Sequence, residues 1–213
     1  MAVLATGCGG SSKPTPTSSS IPPFSLSAVV CPPGPANHTA VANPPRHFSH
    51  PPRQVIAPSK GYCAYVMTTA GLISVRLRPE FAPNTVNNFV YLAEQGFYDG
   101  LSFYRVCPDA SDPACPAQAP IAVAGDPTGT GSGGPGYTLP AEPVVGQYLL
   151  GAVAMYSSDP KSIGSQFFLS KGDGRSLPRT YVLFGQVTDG IVPLVALKKA
   201  NTILWIDIEP TSP

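Results

Sequence analysis

The sequence lacks residue combinations on which several common enzyme classes depend. All three histidines of the 213-residue chain lie within residues 1–60, so residues 61–213 contain none. This absence removes from that part the usual base of Ser-His-Asp and Cys-His sites and the usual zinc ligands. Its carboxylates are scattered, and no obvious pair flanks a sugar site. A reaction that needs neither a nucleophile nor a proton shuttle fits what remains.

Strong charge and long apolar runs are absent as well. The 13 Lys and Arg against 12 Asp and Glu give a net charge of +1, and the basic residues are not clustered, so we expect no nucleic-acid partner. No apolar run approaches the ~20 residues that cross a bilayer. Residues 129–134 match the dinucleotide pattern G-x-G-x-x-G, but Pro135 and Gly136 follow and no amphipathic helix opens there. We therefore predict that residues 129–134 form a loop. The sequence gives no reason to expect a cofactor, a metal or an oligomer.

The first residues are similar to the end of a bacterial lipoprotein signal. A short apolar segment leads to small residues and then to Cys8, the candidate lipidation site, after which Gly and Ser follow. Only seven residues precede Cys8, too few for a charged n-region and an apolar h-region, so we expect the true start to lie upstream. Residues 1–8 therefore predict a signal remnant and an extracytoplasmic protein that is lipid-anchored to the bacterial cell membrane. The alternative is a stray cysteine in an unstructured tail.

Residues 9–60 predict a disordered tether rich in Pro, Gly and Ser. Residues 1–60 hold twelve of the 27 prolines and no acid. Such a composition buries too little apolar surface to offset the entropy of ordering. The tether would hold a domain of residues 61–213 away from the membrane, and the lipid would be its only membrane contact.

Four cysteines remain when Cys8 is set aside: Cys31, Cys63, Cys107 and Cys115. An even number in an exported chain indicates two disulfides. Cys107 and Cys115 enclose seven residues and form a plausible local pair, in which case Cys31 with Cys63 would tie the tether to the first strand. The sequence does not fix this connectivity. Zinc binding is the weaker alternative, because no Cys-x-x-Cys spacing is present.

From Gly61 onward the pattern changes to strands. Residues 62–69 and 72–78 alternate around Ala70 and Gly71, which predicts a hairpin. A helix is predicted from Pro83 to Gly96, and a shorter one over residues 191–199. Further strands are predicted over residues 102–106, 121–124, 149–155, 166–170, 181–188 and 203–208. Many short strands with two helices predict a mainly β fold, a closed barrel capped by the helices.

One predicted strand carries a pair of side chains with chemical potential. Gln166 and Phe168 point to one side of the strand and Phe167 to the other. An amide beside an aromatic ring suits a pocket that anchors a peptide backbone and holds an apolar ring, although Phe168 could simply be core. Rotation about an X-Pro bond fits, because its barrier of ~18–20 kcal/mol arises from amide resonance. A cation such as Arg105 could weaken that resonance by donating a hydrogen bond to the prolyl nitrogen.

Several runs occur in an order that is typical of one family: PNTVNNF (83–89), FYDGLSFYRV (97–106), AGDPTGTG (124–131), GSQFF (164–168) and VLFG (182–185). Through them residues 62–208 resemble the cyclophilins, peptidyl-prolyl cis-trans isomerases built on an eight-stranded barrel with two capping helices. The resemblance implies that Arg105 is the catalytic arginine, Gln166 the substrate-anchoring glutamine and Phe168 the floor of the proline pocket. It further implies a substrate-binding set of Ile121, Gly131, Tyr156, Ser157, Leu177 and Tyr181.

Departures from the family pattern concern the residues that position the substrate. Val123 replaces a glutamine that steadies the arginine, and Ser176 replaces a tryptophan at the pocket rim. Tyr156 begins the run that replaces Ala-Asn-Ala, and Tyr181 replaces a histidine. An insertion holding Cys107 and Cys115 follows Arg105.

The leading hypothesis is a monomeric prolyl isomerase that acts on proline-containing polypeptides and assists the folding of exported proteins. The alternative is a catalytically weak or inactive module that binds proline-containing peptides. A third possibility is a docking scaffold whose groove is closed by the insertion.

Overall fold

The computed structural model describes Met1 and residues 30–211, apart from residues 36–37, 39, 58, 110–111 and 116–118. Ten strands and two helices form within these residues. The strands are β1 (Gly61–Thr68), β2 (Gly71–Leu77), β3 (Arg105–Val106), β4 (Ile121–Ala124), β5 (Leu139–Pro140), β6 (Ala152–Met155), β7 (Ser162–Ile163), β8 (Phe167–Ser170), β9 (Leu183–Asp189) and β10 (Ile203–Thr211). The helices are α1 (Pro83–Glu94) and α2 (Ile191–Ala196). The predicted mainly β fold with two helices is therefore confirmed.

Eight strands form one antiparallel sheet in the order β10-β1-β2-β9-β6-β8-β4-β3, and β5 pairs separately with β7. The two edge strands, β3 and β10, are not paired with each other along their length. The segments leading into them meet at a Ser102–Thr202 bridge, where the Gly100 amide donates to the Ile203 carbonyl at 2.7 Å. The sheet is a strongly curled half-barrel, and the full closure predicted from the sequence is not seen among the described residues.

The β1–β2 hairpin and α1 show how local sequence produces the core. Ile73, Val75 and Leu77 alternate onto the buried face of β2, as predicted. Helix α1 begins at Pro83, and its first amides are accepted by a carboxylate from the loop after β5: Glu142 receives the amides of Asn84 at 3.0 Å and Thr85 at 2.8 Å. An acid at a helix N-terminus satisfies free amides and opposes the helix dipole.

The described part of the predicted tether packs against the domain. Ile56 lies in the main core, and the side-chain oxygen of Asn87 accepts the amides of Val55 at 2.7 Å and Ile56 at 3.2 Å. The Arg46 guanidinium donates to the Phe97 and Asp99 carbonyls, on the same side of the domain.

Residues 40–57 are therefore ordered along the domain, in contrast to the predicted disorder over residues 9–60. Three inward side chains, Arg46, Phe48 and Ile56, provide the contacts that composition alone did not reveal, and the intervening prolines reduce the entropy lost on ordering. Residues 9–29 and Cys8, in the predicted signal remnant of residues 1–8, lie outside the described residues.

Two disulfides join Cys31 to Cys63 and Cys107 to Cys115, the pairing that the sequence favoured. The first ties the segment before the domain to β1, where the Tyr65 hydroxyl also donates to the Pro32 carbonyl at 2.9 Å. The second closes the insertion that follows β3. Across the described part of the chain, neither helix has the length and apolar character required to span a membrane.

Candidate substrate groove

Three neighbouring strands place the predicted catalytic residues side by side. Arg105 on β3 pairs with Val123 on β4, and Val123 pairs in turn with Phe168 on β8. Gln166 lies immediately before β8, and Tyr156 follows β6, the strand on the other side of β8. The Tyr156 amide donates to the Gln166 carbonyl at 2.8 Å, which fixes these two segments together.

The Arg105 guanidinium is held at two of its nitrogens. Nε donates to Oδ2 of Asp112 at 3.0 Å, and Nη1 donates to the Tyr156 hydroxyl at 2.8 Å. Burial alone would lower the pKa of Arg105, but Asp112 and the neighbouring tyrosines raise that pKa overall, so the group stays cationic. The cation also lies over the rings of Tyr104 at 5.5 Å and Tyr156 at 5.7 Å. Val123 offers only methyl groups here, so Asp112 and Tyr156 provide the polar support.

Gln166 is bonded to the glycine-rich loop of residues 129–134. Its amide nitrogen donates to the carbonyls of Gly131 at 3.1 Å and Gly133 at 2.8 Å, and its oxygen accepts the Tyr104 hydroxyl. Burial raises the pKa of Tyr104, so this phenol remains a donor. The glutamine side chain thereby fixes one wall of the groove.

Asp126 organises the same loop. Its carboxylate accepts the Thr128 amide at 2.7 Å, the Thr130 amide at 3.1 Å and the Gly131 amide. Burial would raise the pKa of Asp126, but these hydrogen bonds hold the pKa below its ordinary value. No helix starts in the run, which forms a loop as predicted.

Phe168 lies at the bottom of an apolar cluster and is 0% exposed. The predicted wall residues Ile121 and Leu177 belong to the same buried cluster. Tyr181 meets the Phe168 ring edge-on at 5.4 Å, and Tyr156 stacks on Tyr181 at 5.5 Å with an interplanar angle of 14°. Tyr181 thus contacts the predicted pocket floor directly, and Tyr156 reaches it through Tyr181.

The other predicted substrate contacts line a cleft next to this cluster. Gly131, Ser157 and Gln166 border a cavity of about 250 Å³, and Tyr156 separates it from the Phe168 cluster. The structure therefore groups the predicted site residues in two adjoining places: Arg105, Phe168, Ile121, Leu177, Tyr156 and Tyr181 at the aromatic cluster, and Gly131, Ser157 and Gln166 at the cleft.

Sequence reasoning missed three residues that shape the site. Asp112 reaches Arg105 from the disulfide loop, and the only available signal was its place in an insertion that follows Arg105. Tyr104 precedes Arg105 and bonds Gln166. Tyr148 fixes Tyr181, because its hydroxyl donates to the Tyr181 carbonyl at 2.7 Å and accepts the Tyr181 amide at 3.0 Å. Among the described residues, no three His, Cys, Asp or Glu side chains are grouped as metal ligands.

Comparison with known proteins agrees with this geometry. A family model described as cyclophilin type peptidyl-prolyl cis-trans isomerase/CLD matches residues 64–211. A peptidyl-prolyl cis-trans isomerase of Synechococcus elongatus is 35% identical over 147 residues, which cover 68% of this chain and 94% of the relative. Peptidyl-prolyl cis-trans isomerase B of Bacillus subtilis is 37% identical over 129 residues, covering 60% and 83% respectively.

A solved structure extends the likeness to three dimensions. The crystal structure of a Cryptosporidium parvum cyclophilin type isomerase in the presence of the dipeptide Ala-Pro has a TM-score of 0.60 and 27% sequence identity, and the match covers 69% of this chain and 98% of that one. The chain belongs to the cyclophilin-type peptidyl-prolyl cis-trans isomerases.

Proposed function

We propose that this protein isomerises X-Pro bonds of exported polypeptides, with Arg105 as the catalytic residue. The observation that supports this role most directly is the fixation of the guanidinium at Nε and Nη1 beside the Phe168 cluster. Among the described residues no hydrogen bond to Nη2 is found, and Nη2 lies near Gly131 at the groove wall. This nitrogen is therefore available to a substrate.

The proposed mechanism needs only binding and polarisation. The prolyl ring is held against Phe168, Ile121 and Leu177 after the tyrosine rings above them move. Arg105 donates a hydrogen bond to the prolyl nitrogen, which localises its lone pair and lowers the resonance barrier of ~18–20 kcal/mol. The substrate backbone lies along the wall that Gln166 fixes, and the Tyr181 hydroxyl faces the substrate carbonyl. Proline-containing peptides are the substrate class, as the Ala-Pro dipeptide present with the related structure supports.

Exchange NMR on a short Ala-Pro peptide tests this proposal. The full chain is compared with its Arg105→Ala and Arg105→Lys variants, all carrying Cys8→Ser to avoid a free thiol. Wild type is expected to accelerate exchange, Arg105→Ala to abolish the acceleration, and Arg105→Lys to retain little, because lysine lacks the planar fork that Asp112 and Tyr156 hold. Equal acceleration by the wild type and a folded Arg105→Ala variant contradicts the role of Arg105.

One observation favours a second candidate, the catalytically weak binding module. The predicted floor, Phe168, is 0% exposed beneath Tyr156 and Tyr181, so binding requires these rings to move. The same NMR sample distinguishes the two candidates. Changes in the protein's chemical shifts on addition of peptide, without faster cis-trans exchange of that peptide, support the binding module.

We propose further that the protein acts as a monomer outside the cytoplasm, lipid-anchored through Cys8. The signal-like run before Cys8 and the two disulfides support this location, since disulfides persist in oxidising compartments. Labelling cells that express the protein from its own gene with a fatty-acid analogue tests the anchor. Label on wild type and none on Cys8→Ser is expected, and label on neither variant contradicts the anchor.

A further inference from the structure

Tyr156 occupies an unusual position between the catalytic cation and the aromatic cluster. Its hydroxyl accepts the hydrogen bond from Nη1 of Arg105 at 2.8 Å, and its ring stacks on Tyr181 at 5.5 Å. Tyr181 in turn lies edge-on against Phe168. The phenol thus joins the two halves of the site, the half that polarises the amide and the half that holds the proline ring.

The consequence is a proline site that is covered by the chain itself. Phe168 and Ile121 are 0% exposed and Leu177 is 3% exposed. A prolyl ring cannot touch surfaces that solvent does not reach, so some side chain must move before substrate enters. Tyr148 is an unsuitable candidate, because it is 2% exposed and its hydroxyl bonds the Tyr181 backbone in two directions.

Tyr156 is the side chain best placed to move. Its backbone amide is fixed to Gln166, but the polar loop of residues 157–161 follows it, and the side chain is only partly buried. Rotation about its side-chain bonds uncovers the face of Tyr181 on which it stacks, without breaking a strand pair, and leaves Tyr181 free to move off Phe168. The movement also frees Nη1 of Arg105, because the phenol oxygen holds a hydrogen bond that a substrate oxygen can replace.

We propose that Tyr156 is a lid on the proline site that sets substrate affinity. This inference rests on the proposed function and deepens it. The closed lid competes with substrate for the same guanidinium and the same aromatic face, so the apparent affinity is reduced by the fraction of molecules with the lid open. Removal of the lid therefore acts on KM and Kd, and it does not raise kcat.

Peptide titration and exchange kinetics on the same samples test the lid. Full chains carrying Cys8→Ser are prepared as wild type, Tyr156→Phe, Tyr156→Ala and the control Tyr65→Phe, which also loses one hydroxyl hydrogen bond but lies in the separate Cys31–Cys63 cluster. For an open state populated at about 10% or less, Tyr156→Ala is expected to tighten the Kd of an Ala-Pro peptide about tenfold or more. Tyr156→Phe keeps the stack but loses the hydrogen bond to Arg105, so it should tighten binding by a smaller factor, and the control by none.

The outcomes separate the lid from the proposed function. If the wild type is active and the folded Tyr156→Phe and Tyr156→Ala variants bind peptide no more tightly than the wild type, the lid is overturned. The isomerase proposal then stands. If the wild type is inactive and Tyr156→Ala binds peptide more tightly than the wild type does, the lid is supported and the proposed isomerase activity is overturned. If Tyr156→Ala fails to fold, Tyr156→Phe decides, since it retains the ring that packs on Tyr181. A higher kcat at unchanged KM also contradicts the lid.

Discussion

Replacement of Asp112 tests whether the disulfide loop supports Arg105, the proposed catalytic residue. The carboxylate accepts Nε of Arg105 at 3.0 Å, and the two side chains are 13% and 17% exposed, with Asp112 the more exposed. Hydrogen bonds to charged groups contribute roughly 1.5–3 kcal/mol, and partial exposure places this one near the lower end. Tyr156 retains its own contact, so Arg105 stays in the groove but is less well oriented.

We expect Asp112→Ala to lower kcat/KM about tenfold, since about 1.4 kcal/mol of lost transition-state stabilisation corresponds to that factor. Asp112→Asn retains an acceptor of the same size without the charge, and about a threefold loss is expected. The matched control is Glu80→Gln, which removes the carboxylate paired with Arg78 away from the groove. Exchange NMR with an Ala-Pro peptide gives the rates, and a Tm measurement verifies folding.

The pH dependence provides a second readout of the same contact. The hydrogen bond from Arg105, together with that from the Ala114 amide, holds the pKa of Asp112 below its ordinary value of 3.8. A depressed pKa means that the contact is complete above pH 3.8 and is lost as pH falls through the lower, folded-state value. Wild-type kcat/KM should therefore be insensitive to Asp112 titration from pH 5 to 8, about the range of maximal stability.

Folded Asp112→Ala with wild-type or faster turnover would refute the supporting role of Asp112.

Three further predictions concern stability and are measured by urea unfolding. Cys31→Ser with Cys63→Ser should lower the free energy of unfolding by about 3–4 kcal/mol, the chain-entropy value for a loop of this length; a loss below about 1 kcal/mol contradicts it. Ile56→Ala should cost about 2–4 kcal/mol because this residue is buried in the main core, whereas an arm that does not dock predicts no change. Glu142→Gln should cost about 1 kcal/mol by weakening the cap of α1, and Glu94→Gln, the same change at the exposed C-terminal end of α1, serves as its control and should not lower stability.

Local patterns in the sequence predicted the elements that local interactions determine. The β1–β2 hairpin follows from alternation around Gly71, whose φ of +126° favours glycine, and α1 follows from Pro83 and a 3.6-residue apolar stripe. The strand pair β5–β7 was not predicted, because two-residue strands have no recognisable periodicity. The ordered arm was not predicted either, since its stability depends on Asn87 and the core beneath Ile56, which are distant in sequence.

The candidate site was predictable in its composition but not in its connections. Motif resemblance indicated Arg105, Gln166 and Phe168, and the structure places them on adjacent segments. The contacts of Asp112 and Tyr156 with Arg105 depend on how an insertion and a strand end converge in space. Asp112 belongs to no motif, Tyr156 stands where the family motif has a residue without a hydroxyl, and a sequence with Val123 in place of the glutamine predicted a poorly supported guanidinium.

The two contacts on Arg105 oppose each other in their consequences for catalysis. Asp112 binds Nε, so it can stay in place while a substrate takes Nη2 and Nη1. Tyr156 binds Nη1 and stacks on Tyr181, which packs on Phe168, so as the proposed lid it leaves before the proline ring enters. A support that persists and a lid that departs can both hold the free enzyme's arginine in one orientation. Arg105 can therefore be ordered although Val123 stands in place of the family's glutamine. We expect this arrangement to weaken substrate binding and to leave the rate of the isomerisation step unchanged.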